Sequence, residues 1–224
     1  MDTIKELMTT YDIPYLFSKC LSFGLIGASL LYKVEQIKNL YASKDAKGVS
    51  LMSYIIECFG FAVQIAYNVR HAYAFSTYGE TINIIVQNLI IVAQIFYYSK
   101  RMMGMGVFFA TFITFFVYLM ELLGNIECPL SLLSLFQTLT VPLFAAAKLP
   151  QIYTLYSEGE VGQLAFSTVF LAVAGTAARV FTTLKEVDDM KVLSGFLVGF
   201  LLNTIILCQF IYLRFLKTPK KKVD

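Results

Sequence analysis

The sequence predicts an all-α integral membrane protein: seven transmembrane helices forming two three-helix-bundle repeats of the same orientation, joined by a linker helix. Three observations predict it. The 224 residues are 58% hydrophobic and only 15% charged, with a mean hydropathy of +0.68, against roughly 45–50% apolar for soluble chains. Apolar runs of nearly span length recur along the chain; at about 1.5 Å per residue each reaches across a hydrocarbon core of roughly 30 Å. The same pattern of residues returns 115 positions later.

The spans fall at Tyr15–Tyr32, Ser50–Val69, Thr81–Tyr98, Gly104–Leu123, Pro129–Ala147, Leu164–Leu184 and Val192–Phe215. The third, fourth and seventh are the most uniformly apolar. The second carries Glu57 and Gln64, and the fifth is interrupted by Pro142 and closed by Pro150. After the odd-numbered spans, the loops and tail hold 12 basic residues, Lys33, Lys148 and Arg214 among them; the opposite face holds 6. Basic loops remain cytosolic, so the C-terminus is expected in the cytosol and the N-terminus in the lumen. Asp2, Glu6 and Asp12 against Lys5 speak against a cleavable signal peptide.

The repeat rests on polar matches. Lys33-Val-Glu-Gln-Ile-Lys-Asn-Leu-Tyr41 aligns with Lys148-Leu-Pro-Gln-Ile-Tyr-Thr-Leu-Tyr156, and five of nine positions agree. Asn88-Leu-Ile-Ile-Val-Ala-Gln-Ile-Phe-Tyr97 aligns with Asn203-Thr-Ile-Ile-Leu-Cys-Gln-Phe-Ile-Tyr212 at the same offset. The organisation is then a first repeat over 15–98, a linker helix within 99–128, a second repeat over 129–215 and a basic cytosolic tail at 216–224. Four crossings separate equivalent helices, which makes the repeat parallel.

Few residues carry chemistry. Asn88 and Asn203 occupy equivalent mid-membrane positions, where an amide needs partners; they suit either a grip on sugar hydroxyls or bonding between helices. Glu57 shares a helix face with Ser53, Gly60 and Gln64. A carboxylate there binds substrate, relays a proton or pairs with Arg179, which otherwise snorkels or holds a phosphate. Pro142 and Gly27 interrupt corresponding helices, the pattern that points to a carrier's central site, or to packing alone. Cys20, Cys58, Cys128 and Cys208 are isolated packing residues, and no metal site or cofactor is expected. His71 and the pair Asp188 and Asp189 read as solvated loop residues. No nucleophile–base pair is present and the net charge is only +3, so neither an enzyme nor a nucleic-acid binder is expected.

The Lys148-Leu-Pro-Gln151 segment and its degenerate partner Lys33-Val-Glu-Gln36 resemble the PQ-loop proteins, which include the SWEET sugar carriers; Glu35 stands where the family has proline. Within that class the chain is most similar to the mannose-P-dolichol utilization defect 1 proteins, through Phe75-Ser-Thr-Tyr-Gly-Glu80, Gly162-Gln-Leu164, Thr168-Val-Phe-Leu171 and Arg179-Val-Phe-Thr182. The resemblance implies an endoplasmic reticulum protein that supports use of dolichol-phosphate mannose and glucose in N-glycan precursor and GPI-anchor synthesis. It also implies a substrate cavity lined by Asn88 and Asn203, and membrane lipid, dolichol-phosphate sugars and lumenal glycosyltransferases as partners. Lys221 and Lys222 resemble a dilysine retrieval signal. A carrier of a small solute, such as a sugar or cationic amino acid, and a non-transporting receptor or chaperone are the alternatives.

Overall fold

The structure is a computed structural model that describes residues 13–46, 49–124, 130–161 and 166–216. Among them lie the helices α1 (Ile13–Ser29), α2 (Val34–Ser43), α3 (Leu51–Arg70), α4 (Phe75–Tyr98), α5 (Met102–Gly124), α6 (Leu130–Glu158), α7 (Phe166–Glu186) and α8 (Met190–Ile211). A π-helical turn, Tyr212–Leu216, continues α8. Five stretches are long and apolar enough to cross a membrane: Ile13–Ser43, Phe75–Tyr98, Met102–Glu121, Ser131–Ser157 and Met190–Phe215. The two expected spans outside this set are α3 and α7, the middle helix of each proposed unit. α3 carries Glu57, Gln64 and Asn68 and α7 carries Arg179, Lys185 and Glu186, which lower their mean hydropathy, and each lies against several neighbours.

The helix bounds repeat with the sequence. Shifted by 115 positions, α3 falls on α7 and α4 on α8. Packing repeats as well: α4 lies against α1 and α3 as α8 lies against α6 and α7, while α3 meets α6 and α1 meets α7. Matched side chains make matched bonds. Gln94 Nε2 donates to the Ile37 carbonyl at 3.2 Å, and Gln209 Nε2 donates to the Ile152 carbonyl at 3.2 Å. An apolar core joins α3, α4 and α5, with Phe59 set edge-on to Phe108, Phe112 and Phe115 at 5.0–6.3 Å. Between α3 and α6 the approach is close at Gly60, where a Cβ would stand 2.5 Å from the Phe144 ring.

Two expectations about helix ends are corrected. Pro150 does not close the fifth span: α6 runs through both Pro142 and Pro150 to Glu158. Lys148 consequently lies within a helix and not in a loop. The first span, which lacks the proline, is the broken one. It stops at Ser29, turns through 30–33 and resumes at Val34.

The cause of the break is on α4. Gln87 Nε2 donates to the Ser29 carbonyl at 2.8 Å, while Gln87 Oε1 accepts from the Lys33 amide at 2.7 Å. One side chain thus takes over a donor and an acceptor that a continuous helix would have paired internally. Asn83 assists by donating to the Ile26 carbonyl and to Ser29 Oγ. The equivalent positions on α8 are Leu202 and Val198, which offer nothing to an opened backbone, and α6 stays continuous. Substituting Gln87→Leu should therefore lower stability by about 1–3 kcal/mol. Detergent-phase melting measures the loss, and faster amide exchange at Lys33 locates it.

Candidate functional site

Polar groups gather in two places. The first joins the turn after α1 to α3 and α4. Glu57, on α3, receives Lys33 Nζ at 2.5 Å and Asn88 Nδ2 at 2.9 Å, both on Oε2. Lys33 is further held over the Tyr54 ring at 4.6 Å and the Tyr32 ring at 5.9 Å. Asn88 is 0% exposed, and its Oδ1 has no hydrogen-bond partner among the described residues. Glu57 therefore pairs with Lys33 and not with Arg179. The break in α1 explains this pairing, because it turns Lys33 inward from the cytosolic loop where sequence reasoning had placed it.

The repeat-equivalent of Asn88 behaves differently. Asn203 Nδ2 donates to the Ala172 carbonyl at 3.2 Å and to Thr176 Oγ1 at 3.3 Å. Ala172 occupies the position equivalent to Glu57. The same amide thus reaches the same place on the neighbouring helix in both halves, but meets a carboxylate in one and a backbone carbonyl with a threonine hydroxyl in the other. Gln64 uses its backbone carbonyl to accept from Asn68 Nδ2 and makes no side-chain bond among the described residues. Gln36 is half-buried, while Gly27, Pro142, Pro150 and Gln151 lie on exposed faces. A Cβ at Gly27 would meet nothing within 4 Å. Lys221, Lys222 and Gly162–Leu164 lie outside the described residues.

The second gathering ties α1, α4 and α7 together. The Glu186 side chain, 2% exposed, takes Lys19 Nζ at 2.6 Å, Ser18 Oγ at 2.6 Å, Ser22 Oγ at 2.8 Å and Ser76 Oγ at 2.7 Å. Two turns earlier on α7, Arg179 donates through Nε to Glu80 at 2.6 Å and through Nη1 to the Ser76 carbonyl at 3.1 Å. Arg179 is 4% exposed and its Nη2 has no partner among the described residues, so it is a buried pairing group and does not snorkel. None of the Glu186 network was named from sequence. The available signal was spacing: Ser18 and Ser22 stand one helical turn apart on an apolar run, with Lys19 beside them.

Asp189 also departs from expectation. It caps α8 by accepting from the Lys191 amide, and it receives the hydroxyls of Tyr67 at 2.5 Å and Tyr73 at 2.9 Å. Burial pushes its carboxyl up, but the bonds from Tyr67, the Lys191 amide and Tyr73 outweigh that and hold it below its usual value of 3.8. Burial and the same carboxylate raise the Tyr73 hydroxyl to about 12. His71 stacks between these rings, 4.1 Å from Tyr67 and 5.4 Å from Tyr73.

Comparison with known proteins fits this architecture. Residues 132–192 match the family model described as PQ loop repeat. Over 182 residues the chain is 26% identical to the human protein Solute carrier family 66 member 3, the match covering 81% of this chain and 87% of that protein.

Two outcomes test these contacts. Glu186→Ala strands Lys19 and should cost about 3–5 kcal/mol, whereas the double change with Lys19→Met should recover much of it; a double-mutant cycle of melting temperatures in detergent reads the coupling. Because the Asp189 value is lowered on folding, its stabilisation is complete above pH 3.8 and is lost as pH falls through the lowered value. Asp189→Asn should flatten the acid limb of the stability profile below about pH 4 while lowering stability near neutrality.

Proposed function

We propose that this chain is a multi-pass protein of the endoplasmic reticulum membrane that supports the use of dolichol-phosphate mannose and glucose. Two like-oriented units, 15–98 and 129–215, joined by the helix within 99–128, form a groove for a lipid-phosphate sugar. The groove moves the head group across the bilayer or presents it to lumenal glycosyltransferases, feeding N-glycan precursor and GPI-anchor synthesis. One observation carries this reading. The segments most similar to the mannose-P-dolichol utilization defect 1 proteins are distant in sequence yet bonded in space: Ser76 and Glu80 of the first both receive Arg179 of the second. Lys221 and Lys222, on a tail oriented to the cytosol, support the compartment.

A second reading is a carrier of a small solute. It draws on the Lys33–Glu57–Asn88 cluster, which suits a zwitterion or a polyol, and on the name of the human relative. Cells lacking the protein decide between the two. On the first reading they accumulate truncated lipid-linked glycans while still making dolichol-phosphate mannose, and this chain restores full-length glycans. Normal glycans with altered solute uptake would reject it in favour of the second.

A further inference from the structure

The charge count around Glu57 does not close. Lys33 and Lys148 are equivalent positions of the repeat, but the carboxylate between them is single, because Ala172 stands where a second would be. Lys33 makes the ion pair with Glu57. Lys148 sits within α6, half-buried, on a helix packed against the one that carries Glu57. The Gly60 contact with the Phe144 ring and the pairing of Phe61 with Phe144 set this stretch of α6 against α3, with Glu57 within a turn of Gly60 and Lys148 a turn beyond Phe144; among the described residues the Lys148 side chain makes no ion pair or hydrogen bond. Glu80 and Glu186 are engaged elsewhere, by Arg179 and Lys19. The carboxylate nearest this part of α6 is thus already taken by Lys33, and the Lys148 ammonium is left as an excess positive charge where desolvation makes it expensive.

Such a charge is retained when a ligand brings the missing anion. We propose that Lys148 binds a singly charged phosphodiester head group. The stoichiometry selects the class. A phosphodiester carries one negative charge and neutralises the excess; a phosphate monoester carries nearly two at neutral pH and would overshoot it. Lysine suits this task as a compact point charge on a flexible stem. The inference rests on the lipid-linked-sugar reading only for which phosphodiester arrives: an isoprenoid lipid-linked sugar and an anionic glycerophospholipid share the chemistry.

The test uses the purified full chain in a non-ionic detergent. The probes are a short-chain isoprenyl mannosyl phosphodiester, phosphatidylglycerol, isoprenyl monophosphate and inorganic phosphate. A phosphodiester should bind saturably, and Lys148→Gln should weaken it about tenfold, while Lys148→Arg should hold it within about threefold. The ligand-free melting temperature of Lys148→Gln should not fall, since that change removes an unpaired cation; a purely structural lysine would lower it. Preference for the mannosyl diester assigns the site to a lipid-linked sugar, and equal binding of phosphatidylglycerol assigns it to bulk lipid. Undiminished diester binding by Lys148→Gln overturns the proposal, as does tighter binding of the monoester or of inorganic phosphate. The two readings fail separately. Lys148-dependent binding with normal glycans in cells lacking the protein keeps the site and rejects the pathway. Truncated glycans fully restored by Lys148→Gln reject the site and keep the pathway.

Discussion

Hydrocarbon supplies no hydrogen-bond partner, so every donor and acceptor carried into the bilayer has to be met from within the chain. That constraint organises this protein more than apolar packing does, because apolar packing distinguishes little between one lipid-soluble helix and another. The Gln87 side chain shows it most directly. By offering one acceptor and one donor it makes an opened turn in the first span tolerable, and that turn swings Lys33 onto Glu57. The carboxylate is in turn held by Asn88. A chain of three polar residues on three different segments thus follows from a single amide on α4.

The two halves share a scaffold and diverge in a handful of side chains. Gln94 and Gln209 make the same bond to the same carbonyl of the preceding repeat segment, and Asn88 and Asn203 reach to the same position of the neighbouring helix. The differences are Gln87 against Leu202, Asn83 against Val198, and Glu57 against Ala172. Together they give one half a broken helix and a charged centre, and the other an unbroken helix through two prolines. Proline need not break a membrane helix when neighbouring groups satisfy the carbonyl it leaves free, and a break needs no proline when a side chain bonds the opened backbone.

At the far end of α7, electrostatics hold the bundle. Glu186 binds α1 and α4 at once, Arg179 binds α4, and Asp189 gathers two tyrosines from α3 and the loop beyond it. A buried ion pair adds little net stability over an apolar substitute, but it tolerates only the arrangement in which each partner is present. These pairs accordingly specify which helices are neighbours where apolar surfaces would accept several. They also explain why α3 and α7 belong in the bundle despite their polar content: the polar side chains are the reason for their place.

By itself the sequence determined the helical class, the apolar stretches long enough to cross a membrane, and the repeat of residues at a fixed offset. These depend on average hydropathy and on a fixed offset between matched residues, and both are properties of the chain read linearly. It also singled out Asn88, Asn203, Glu57 and Arg179, since an amide or charge within an apolar run is conspicuous wherever it points. Only the tertiary structure decided the partners. Glu57 went to Lys33, Arg179 to Glu80, and Asp189 from solvent to two tyrosines, because a pairing depends on which helices touch and at what height. Lys19, Ser18, Ser22 and Glu186 are unremarkable one at a time; packing makes them a network. The break at 30–33 was hidden for the same reason: its cause lies on a helix more than fifty residues away in sequence.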